Sequence, residues 1–293
     1  MIAGFAERRI ATAGAEIAFA TGGAGPPLLL LHGYPQTHAC WHRAAPLLAR
    51  HFTVVCPDLR GYGASRLKAA ETPDHAAYAK RAMAQDMVEL MAALGFHRFA
   101  VTGHDRGGRV AYRLALDHPA RVSALAVLDM VPTLETFVAM RAPSALSAYH
   151  WLFLAQPFDL PERLIAADPD FYLEWTIRSW WGQEGAPAPE AMAEYRRAFR
   201  DPAVIHAACE DYRAGATIDC AHDRADRDAG RRIACRLLSL WGAARKSGGP
   251  SDALAVWRRW ADAVEGAPVA CGHFLAEERP EEVAAALAHF FAA

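Results

Sequence analysis

The feature that most constrains this chain is the stretch from Phe99 to Arg113, where a short apolar run, a glycine-flanked polar segment and helical spacing follow one another. This order predicts a strand, a sharp turn and a helix. Asp105 stands at the centre of the turn, between Gly103 and Gly107. Turns of this form are nucleophile elbows, whose central residue is strained and needs small neighbours. The stretch therefore predicts that Asp105 is a nucleophile; the alternative is a helix N-cap.

An aspartate nucleophile restricts the chemistry that can follow. A carboxylate can displace a leaving group from a saturated carbon without a base, and the product is an alkyl ester of the enzyme. Hydrolysis of that ester needs water activated by a histidine, which an acid orients. His273 lies between a small strand predicted at 267–270 and a helix predicted at about 280–291, and Asp129 follows the apolar run 124–128. The order Asp105, Asp129, His273 is that of an α/β-hydrolase nucleophile, acid and base.

The acid could also follow the strand predicted at 236–241, where many relatives of this fold place it. No carboxylate is found there until Asp252, at which a helix is predicted to begin. This absence favours Asp129, for which a capping or surface role is the alternative. The intervening stretch 243–251 is rich in glycine and is predicted to be a mobile loop without an assigned function.

Strands and helices alternate along most of the chain, which predicts an α/β fold with a doubly wound, mostly parallel sheet. An opening hairpin is predicted at 8–21, strands at 28–31 and 52–56, and a helix at 78–94. From about Pro132 to His222 the pattern becomes helical and rich in aromatic residues. We therefore predict an α/β-hydrolase core at 1–131 and 223–293 and an inserted helical cap at 132–222. Such caps cover a site and exclude water.

Composition narrows the class of protein further. The chain has 293 residues, 53 % hydrophobic and 22 % charged, which suits one core with an insertion. A net charge of −2 gives no field for binding nucleic acid or an anionic membrane. No apolar run approaches the ~18 residues that span a bilayer, and the N-terminus lacks a basic region followed by an apolar core, so we predict a cytoplasmic location. The six cysteines, without a Cys-x-x-Cys pair, are predicted to be buried free thiols, not a disulfide framework or metal site.

Two arginines follow the predicted nucleophile. Arg106 and Arg109 are three residues apart at a helix start, so they lie on neighbouring parts of one face. Cations there oppose the helix dipole, and their position predicts an anionic partner. A substrate carboxylate would fit, since guanidinium groups bind carboxylates bidentately. The alternative is an ion pair with Asp58 or with an acid of the cap.

Beyond these features, the sequence resembles the fluoroacetate (haloacetate) dehalogenases of the α/β-hydrolase fold, nearly from end to end. The resemblance rests on six segments: His32–His38, Gly103–Arg109, Val127–Asp129, Tyr149–Trp151, Cys209–Gly215 and Gly272–Phe274. It implies that Arg106 and Arg109 hold the carboxylate of a haloacid while its α-carbon faces Asp105. It also implies a homodimer. No metal or organic cofactor is expected, because the proposed chemistry is complete without one.

The same resemblance implies roles for further residues. His150, Trp151 and Tyr212 would form the halide pocket, which suits their side chains because each can donate a hydrogen bond. The amides of Tyr34 and Arg106 would form the oxyanion hole for ester hydrolysis. Gly108 and the stretch Trp180–Gly185 do not match the family closely, which leaves the preference among halides and chain lengths open. Trp180 and Trp181 could line a tunnel or pack the cap.

Two other functions fit parts of the pattern. An epoxide hydrolase uses the same Asp, His and acid but opens its ring with tyrosines of the cap, for which Tyr149, Tyr172 and Tyr195 are candidates beside Tyr212. It would not need two arginines beside the nucleophile. A protein that binds small molecules without turnover could also keep this fold. Loss of a triad residue would be typical of it, and none is lost here.

Overall fold

The computed structural model describes residues 2–68, 70–182, 185–244 and 252–292. The strands in these ranges are β1 (Ala6–Ala11), β2 (Ala15–Gly22), β3 (Pro27–Leu31), β4 (Thr53–Pro57), β5 (Arg66–Leu67), β6 (Phe99–His104), β7 (Val122–Leu128), β8 (Arg236–Gly242) and β9 (Val264–Val269). They form one sheet in the order β1-β2-β4-β3-β6-β7-β8-β9, with β5 paired to β2. All pairs from β4 to β9 are parallel, and β1-β2 and β2-β4 are antiparallel. The predicted mostly parallel sheet is confirmed.

The helices before the insertion are α1 (Ala44–Leu48), α2 (Lys80–Ala93) and α3 (Asp105–Asp117). Those between β7 and β8 are α4 (Thr133–Ala139), α5 (Ala142–Ser147), α6 (Tyr149–Leu154), α7 (Leu160–Ala167), α8 (Pro169–Trp180), α9 (Pro189–Phe199), α10 (Pro202–Ala214) and α11 (Cys220–Asp228). A π-helical turn, Gly215–Asp219, joins α10 to α11. After β8 come α12 (Ala253–Trp260), α13 (Leu275–Glu278) and α14 (Pro280–Ala292).

The central strands are covered on both faces. Leu28 to Leu31 of β3 are fully buried, and every residue of β6 is buried. Helices α2 and α3 pack together on one side, where Tyr112 also meets Trp257 of α12, and α1 packs with α14 as a separate pair. The continuous apolar runs read from the sequence are those of strands buried between two helical layers.

The helical insertion joins β7 to β8, as the sequence predicts, and within the described residues it contains helices and no strand. Its last helix, α11, crosses the boundary predicted at 222 and ends at Asp228. The division into core and cap at that residue stays a prediction. No described helix combines the length and the apolar character needed to cross a membrane.

Three sequence predictions have different outcomes here. The strand predicted at 267–270 is β9, which begins earlier, at Val264, because its pairing with β8 extends over Glu265 and Gly266. As the outer strand it carries exposed residues that an apolar pattern does not detect.

All six cysteines are free, five of them buried and Cys235 partly so, which confirms the prediction of free thiols. Residues 245–251 of the predicted loop lie outside the described residues.

Candidate active site

The elbow joins β6 directly to α3, and its backbone explains the glycines around it. Asp105 has φ +46°, in the left-handed region that strains a non-glycine residue. A Cβ on Gly103 would lie 2.3 Å from the carbonyl oxygen of Gly107, and one on Gly107 would lie 2.3 Å from that of His32. Side chains at either position would therefore push backbone apart. The Gly-x-Asp-x-Gly pattern is a consequence of this close packing.

The loop after β3 approaches Asp105 equally closely. A Cβ on Gly33 would lie 2.6 Å from Cβ of Asp105, so only glycine fits there. The approach lets the amide of Tyr34 donate to Oδ1 of Asp105 at 3.0 Å. In an ester intermediate that oxygen would be the carbonyl oxygen. The amide of Arg106 lies in the first turn of α3, where amides lack an intrahelical acceptor; its role in the oxyanion hole stays a prediction.

The predicted acid and base are in contact. Nδ1 of His273 lies 2.6 Å from Oδ2 of Asp129. The amide of Gly242, at the end of β8, donates to Oδ1 of Asp129 at 3.0 Å. Asp129 has φ +52° and directly follows β7. With Nδ1 held by this carboxylate, Nε2 of His273 is the nitrogen that can take a proton from water.

The charges around Asp105 favour its ionised form. Burial alone would raise the pKa of this carboxyl, but His273, His104, Arg109 and Arg106 together hold it well below its usual range. Asp105 is therefore an anion at neutral pH, as a nucleophile must be. Burial lowers the pKa of His104 to about 4, with the nearby His273 contributing in the same direction. His104 is consequently neutral at neutral pH, and one of its ring nitrogens lies 2.8 Å from the carbonyl oxygen of His273.

The two arginines are fully buried and have different partners. Arg106 donates from Nε and Nη2 to the carboxylate of Asp211 on α10, at 2.9 and 2.8 Å. The ion pair with a cap acid that the sequence left open is thus present for this residue. Arg109 donates to neutral oxygens, the closest being the carbonyl of Val131 at 2.7 Å. Nη1 of Arg106 and Nε of Arg109 are buried and have no partner among the described residues.

Asp58, the other acid considered for the arginines, is used elsewhere. It is buried and accepts hydrogen bonds from the amides of His38 and Ala64, both at 2.8 Å. Nδ1 of His38 lies at the same distance from it. Asp58 therefore stabilises the loop after β4.

The three residues predicted to bind halide lie together under the cap. His150 and Trp151 are on α6, and Tyr212 is on α10. Their ring centroids are between 5.6 and 6.3 Å apart, and all three are buried. Cζ of Arg106 lies 4.1 Å from the centroid of Tyr212, and Cζ of Arg109 lies 4.4 Å from that of Trp151.

Buried donors without partners indicate what this pocket could bind. The hydroxyl of Tyr212 and Nδ1 of His150 have no hydrogen-bond partner among the described residues. Burial lowers the pKa of His150 to about 3, so at neutral pH its ring is uncharged and offers a single N–H. Leaving buried polar groups unpaired costs free energy, which a bound anion that accepts from them would recover. The assignment of the three residues to a halide stays a prediction.

Trp180 and Trp181, which the sequence left between a tunnel and cap packing, differ in position. Trp180 is buried, with its centroid 4.4 Å from that of His150 and 5.4 Å from that of His273. Its carbonyl accepts the amide hydrogen of His273 at 3.0 Å. Trp181 is only partly buried and lies beside Phe274. Trp180 is therefore part of the site, and sequence reasoning did not separate it from its neighbour.

The cap also touches the loop that carries His273. A Cβ on Gly182 would lie 2.1 Å from the amide nitrogen of Gly272. The carboxylate of Glu278 accepts from the amides of Gly182, Gly272 and Phe274 at 2.9 to 3.1 Å. Gly108, which the sequence connected with pocket size, instead faces Met130, whose Cγ would lie 2.7 Å from an added Cβ. Gln183 and Glu184 belong to the stretch Trp180–Gly185, which does not match the family closely, and they lie outside the described residues.

The family model for the α/β-hydrolase fold matches residues 26–280. A fluoroacetate dehalogenase from Burkholderia sp. is 46 % identical over 99 % of this chain and 95 % of its own length. A soluble epoxide hydrolase from Corynebacterium sp. strain C12 is 35 % identical over 95 % of this chain and 94 % of its own. Among solved structures, a protein from Nostoc sp. PCC 7120, provisionally named an α/β-hydrolase, is 51 % identical, covers 99 % of both chains and has a TM-score of 0.96.

Proposed function

This chain belongs to the α/β-hydrolase family, and on that premise we propose that it is a haloacetate dehalogenase that converts fluoroacetate to glycolate and fluoride. The observation that carries the proposal is the pair of buried guanidinium groups, each with an unpartnered N–H, directly after the anionic Asp105. They suit a substrate that has a carboxylate next to its reacting carbon. Similarity to the Burkholderia fluoroacetate dehalogenase supports the same substrate class.

In the proposed first step, an oxygen of Asp105 attacks the α-carbon of the haloacid and the carbon–halogen bond breaks. The halide leaves with the bonding electrons, and an ester joins the enzyme to the acetate group. Tyr212, His150 and Trp151 donate to the departing halide. Donors directed at developing charge are worth roughly 3 kcal/mol each, judged from the deletion of single oxyanion-hole donors. Fluoride needs such donors most, because its charge is the most concentrated.

In the second step, His273 removes a proton from water, and the resulting hydroxide attacks the carbonyl carbon of the ester. The Tyr34 amide donates to the oxygen that gains negative charge. Collapse of the intermediate restores the Asp105 carboxylate, and His273 returns its proton to the departing glycolate oxygen. Asp129 orients the imidazole and stabilises its charged form.

The experiment that tests the proposal is halide release from fluoroacetate and chloroacetate, measured side by side. Wild type should release both, and Asp105→Asn should release neither, since an amide is not a nucleophile here. Asn also tolerates the left-handed backbone of this position. Asp228→Asn, the same change at an exposed position of α11, is the control and should be silent. Turnover by Asp105→Asn at the wild-type rate would exclude the proposed nucleophile.

Single turnover in ¹⁸O-water separates the ester route from direct attack by water. Label should enter the Asp105 carboxylate first, because water attacks the carbonyl carbon of the ester. Label that appears in glycolate after one turnover, with none in the protein, would contradict the proposal.

An epoxide hydrolase is the second candidate. It is favoured by the 35 % identical relative and by the unpartnered hydroxyl of Tyr212, which could donate to an opening epoxide. Arg106→Lys and Arg109→Lys distinguish the two functions, because lysine lacks the planar donors of a guanidinium. Both changes should disable a haloacid enzyme and spare an epoxide hydrolase. Arg178→Lys, at an exposed position of α8, is the matched control.

A further inference from the structure

The carboxylate of Asp211 contacts three side chains near the site, although no role was predicted for it from the sequence. It is fully buried on α10 and accepts from two nitrogens of Arg106 and from the hydroxyl of Tyr62, at 2.7 to 2.9 Å. Nζ of Lys80 contacts Oδ1, the oxygen that also accepts from Nη2 of Arg106. The backbone carbonyl of Asp211 accepts a further bond from Nη2 of Arg106, at 2.7 Å. Three elements of the core thus converge on one residue of the cap.

These hydrogen bonds determine which nitrogens of Arg106 can still donate to a ligand. A guanidinium usually binds a carboxylate through two parallel N–H donors. In Arg106, Nε and Nη2 are both engaged by Asp211, and Nη1 is left buried without a partner among the described residues. Arg106 can therefore give a ligand one nitrogen in a fixed position, and its charge is offset by the carboxylate of Asp211.

Arg109 differs in charge. Each of its hydrogen-bond acceptors is neutral: the carbonyl of Val131 and the hydroxyls of Thr133 and Thr136. Its guanidinium faces the ring of Trp151, at 4.4 Å from Cζ to the centroid. Among the described residues no carboxylate is hydrogen-bonded to Arg109, so its charge is available to a ligand, and in a buried site little water screens that charge.

We propose that Asp211 is a positioning residue that holds Arg106 as a fixed, charge-compensated donor, so that Arg109 supplies the positive charge that selects a carboxylate substrate. The inference rests on the proposed function and divides its carboxylate clamp into two parts. Arg106 positions the haloacid relative to Asp105, and Arg109 makes the site select an anionic substrate.

Steady-state kinetics with chloroacetate test this division. In Asp211→Asn the guanidinium of Arg106 loses its fixed position but keeps its charge, now uncompensated. We expect kcat to fall about 10- to 100-fold, as misplacement of a reacting group by about 1 Å does, while KM does not rise. Arg109→Gln should raise KM at least tenfold. It should also reduce the preference for chloroacetate over neutral chloroacetamide, which Asp211→Asn should leave unchanged.

Two further variants keep the test decisive if Asp211→Asn is unstable. Asp211→Glu keeps the charge but moves the carboxylate by one methylene, and should also lower kcat without raising KM. Asp201→Asn is the matched control, because that partly exposed acid caps the start of the same helix, α10, and pairs with Arg66. It should leave both constants near wild type. A rise in KM in either Asp211 variant with kcat unchanged, or wild-type constants in both, would overturn the inference.

Binding of glycolate by calorimetry separates failure of this inference from failure of the proposed function. If wild type neither releases halide nor binds glycolate, the proposed function fails and the inference fails with it. If wild type does both and the Asp211 variants behave as wild type, only the inference is overturned.

Discussion

At the scale of single residues, both carboxylates of the proposed triad occupy left-handed backbone, Asp105 at φ +46° and Asp129 at φ +52°. Each directly follows a parallel strand, β6 or β7, at the same edge of the sheet. Such strain is found where a side chain must be aimed at one place. The strand ends thus place the proposed nucleophile and acid at one edge of the sheet, where His273 contacts both Asp129 and Trp180 of the cap.

Tyr212→Phe tests the halide donors at this scale. The change removes one hydroxyl that has no partner among the described residues. We expect fluoride release from fluoroacetate to fall about 100-fold, since a single donor to developing charge is worth about that much. Chloride release should fall less, because a departing chloride depends less on hydrogen-bond donors than fluoride does. Tyr78→Phe, whose hydroxyl bonds Glu71 on the surface, is the control; equal losses for the two halides would contradict the assignment.

Residues differ in how far the sequence could predict their partners. The contact of Asp129 with His273 was predictable, because strand order places both at the carboxyl edge of the sheet. The pairing of Arg106 with Asp211 was not, since it depends on how α10 docks over the elbow. The only local signal was a carboxylate directly before Tyr212 in a predicted cap helix. The role of Trp180 could not be assigned from the sequence for the same reason. Which of the two adjacent tryptophans faces the site depends on how the cap packs.

At the scale of elements, the turn from β6 to α3 is held by backbone contacts that leave no room for side chains. The glycine pattern predicted this turn, and in the structure β6 ends at His104 and α3 begins at Asp105. The early start of β9 was not predictable, because an outer strand does not need an apolar run.

Gly107→Ala and Gly108→Ala form a matched pair for this turn. An added Cβ at 107 would meet the backbone oxygen of His32 at 2.3 Å, whereas one at 108 would meet the flexible side chain of Met130 at 2.7 Å and the backbone oxygen of Gly103 at 2.9 Å. We expect Gly107→Ala to abolish activity and to lower the melting temperature by several degrees. Gly108→Ala should lose less of both, because alanine favours a helix, Met130 can move and the backbone contact with Gly103 is 0.6 Å longer than that with His32. Similar melting temperatures for the two variants would show that the contact with His32 can relax.

At the scale of the whole molecule, the loop after β3, the segment after His273 and the cap meet at one buried acid. Glu277 is 3 % exposed, contacts Nε2 of Gln36 through Oε2, and lies near Tyr195 of α9. Burial raises the pKa of Glu277 to about 8. The folded protein therefore keeps a proton here at neutral pH that the unfolded chain releases.

This difference predicts a pH dependence of stability. Between pH 4.5 and about 8, the unfolded chain loses the Glu277 proton while the folded protein keeps it, so the free energy of unfolding falls as pH rises through this window. Glu277→Gln, which keeps an acceptor for Gln36, should flatten the decline and raise the melting temperature near pH 8. Glu281→Gln, at an exposed position of α14, is the control. Parallel curves of melting temperature against pH for wild type and Glu277→Gln would refute the prediction.

The homodimer and the cytoplasmic location implied at the outset stay predictions. The exposed large apolar side chains of the described residues lie in the cap, between Val138 and Trp175. Sedimentation of the purified protein would show whether two copies associate.

The packing around Gly33, Gly103 and Gly107 has a consequence for how this protein can acquire new substrates. An added Cβ at each of these positions would lie 2.6 Å or less from backbone or from Asp105, so substitution there would displace the elbow. The residues near the site that can be substituted more freely are cap side chains, Trp151 and Trp180 among them. Descendants of this protein that act on substrates with another leaving group or chain length would therefore carry their mutations in the helical insertion and keep the elbow unaltered. A mutant library should accordingly sample residues of the insertion.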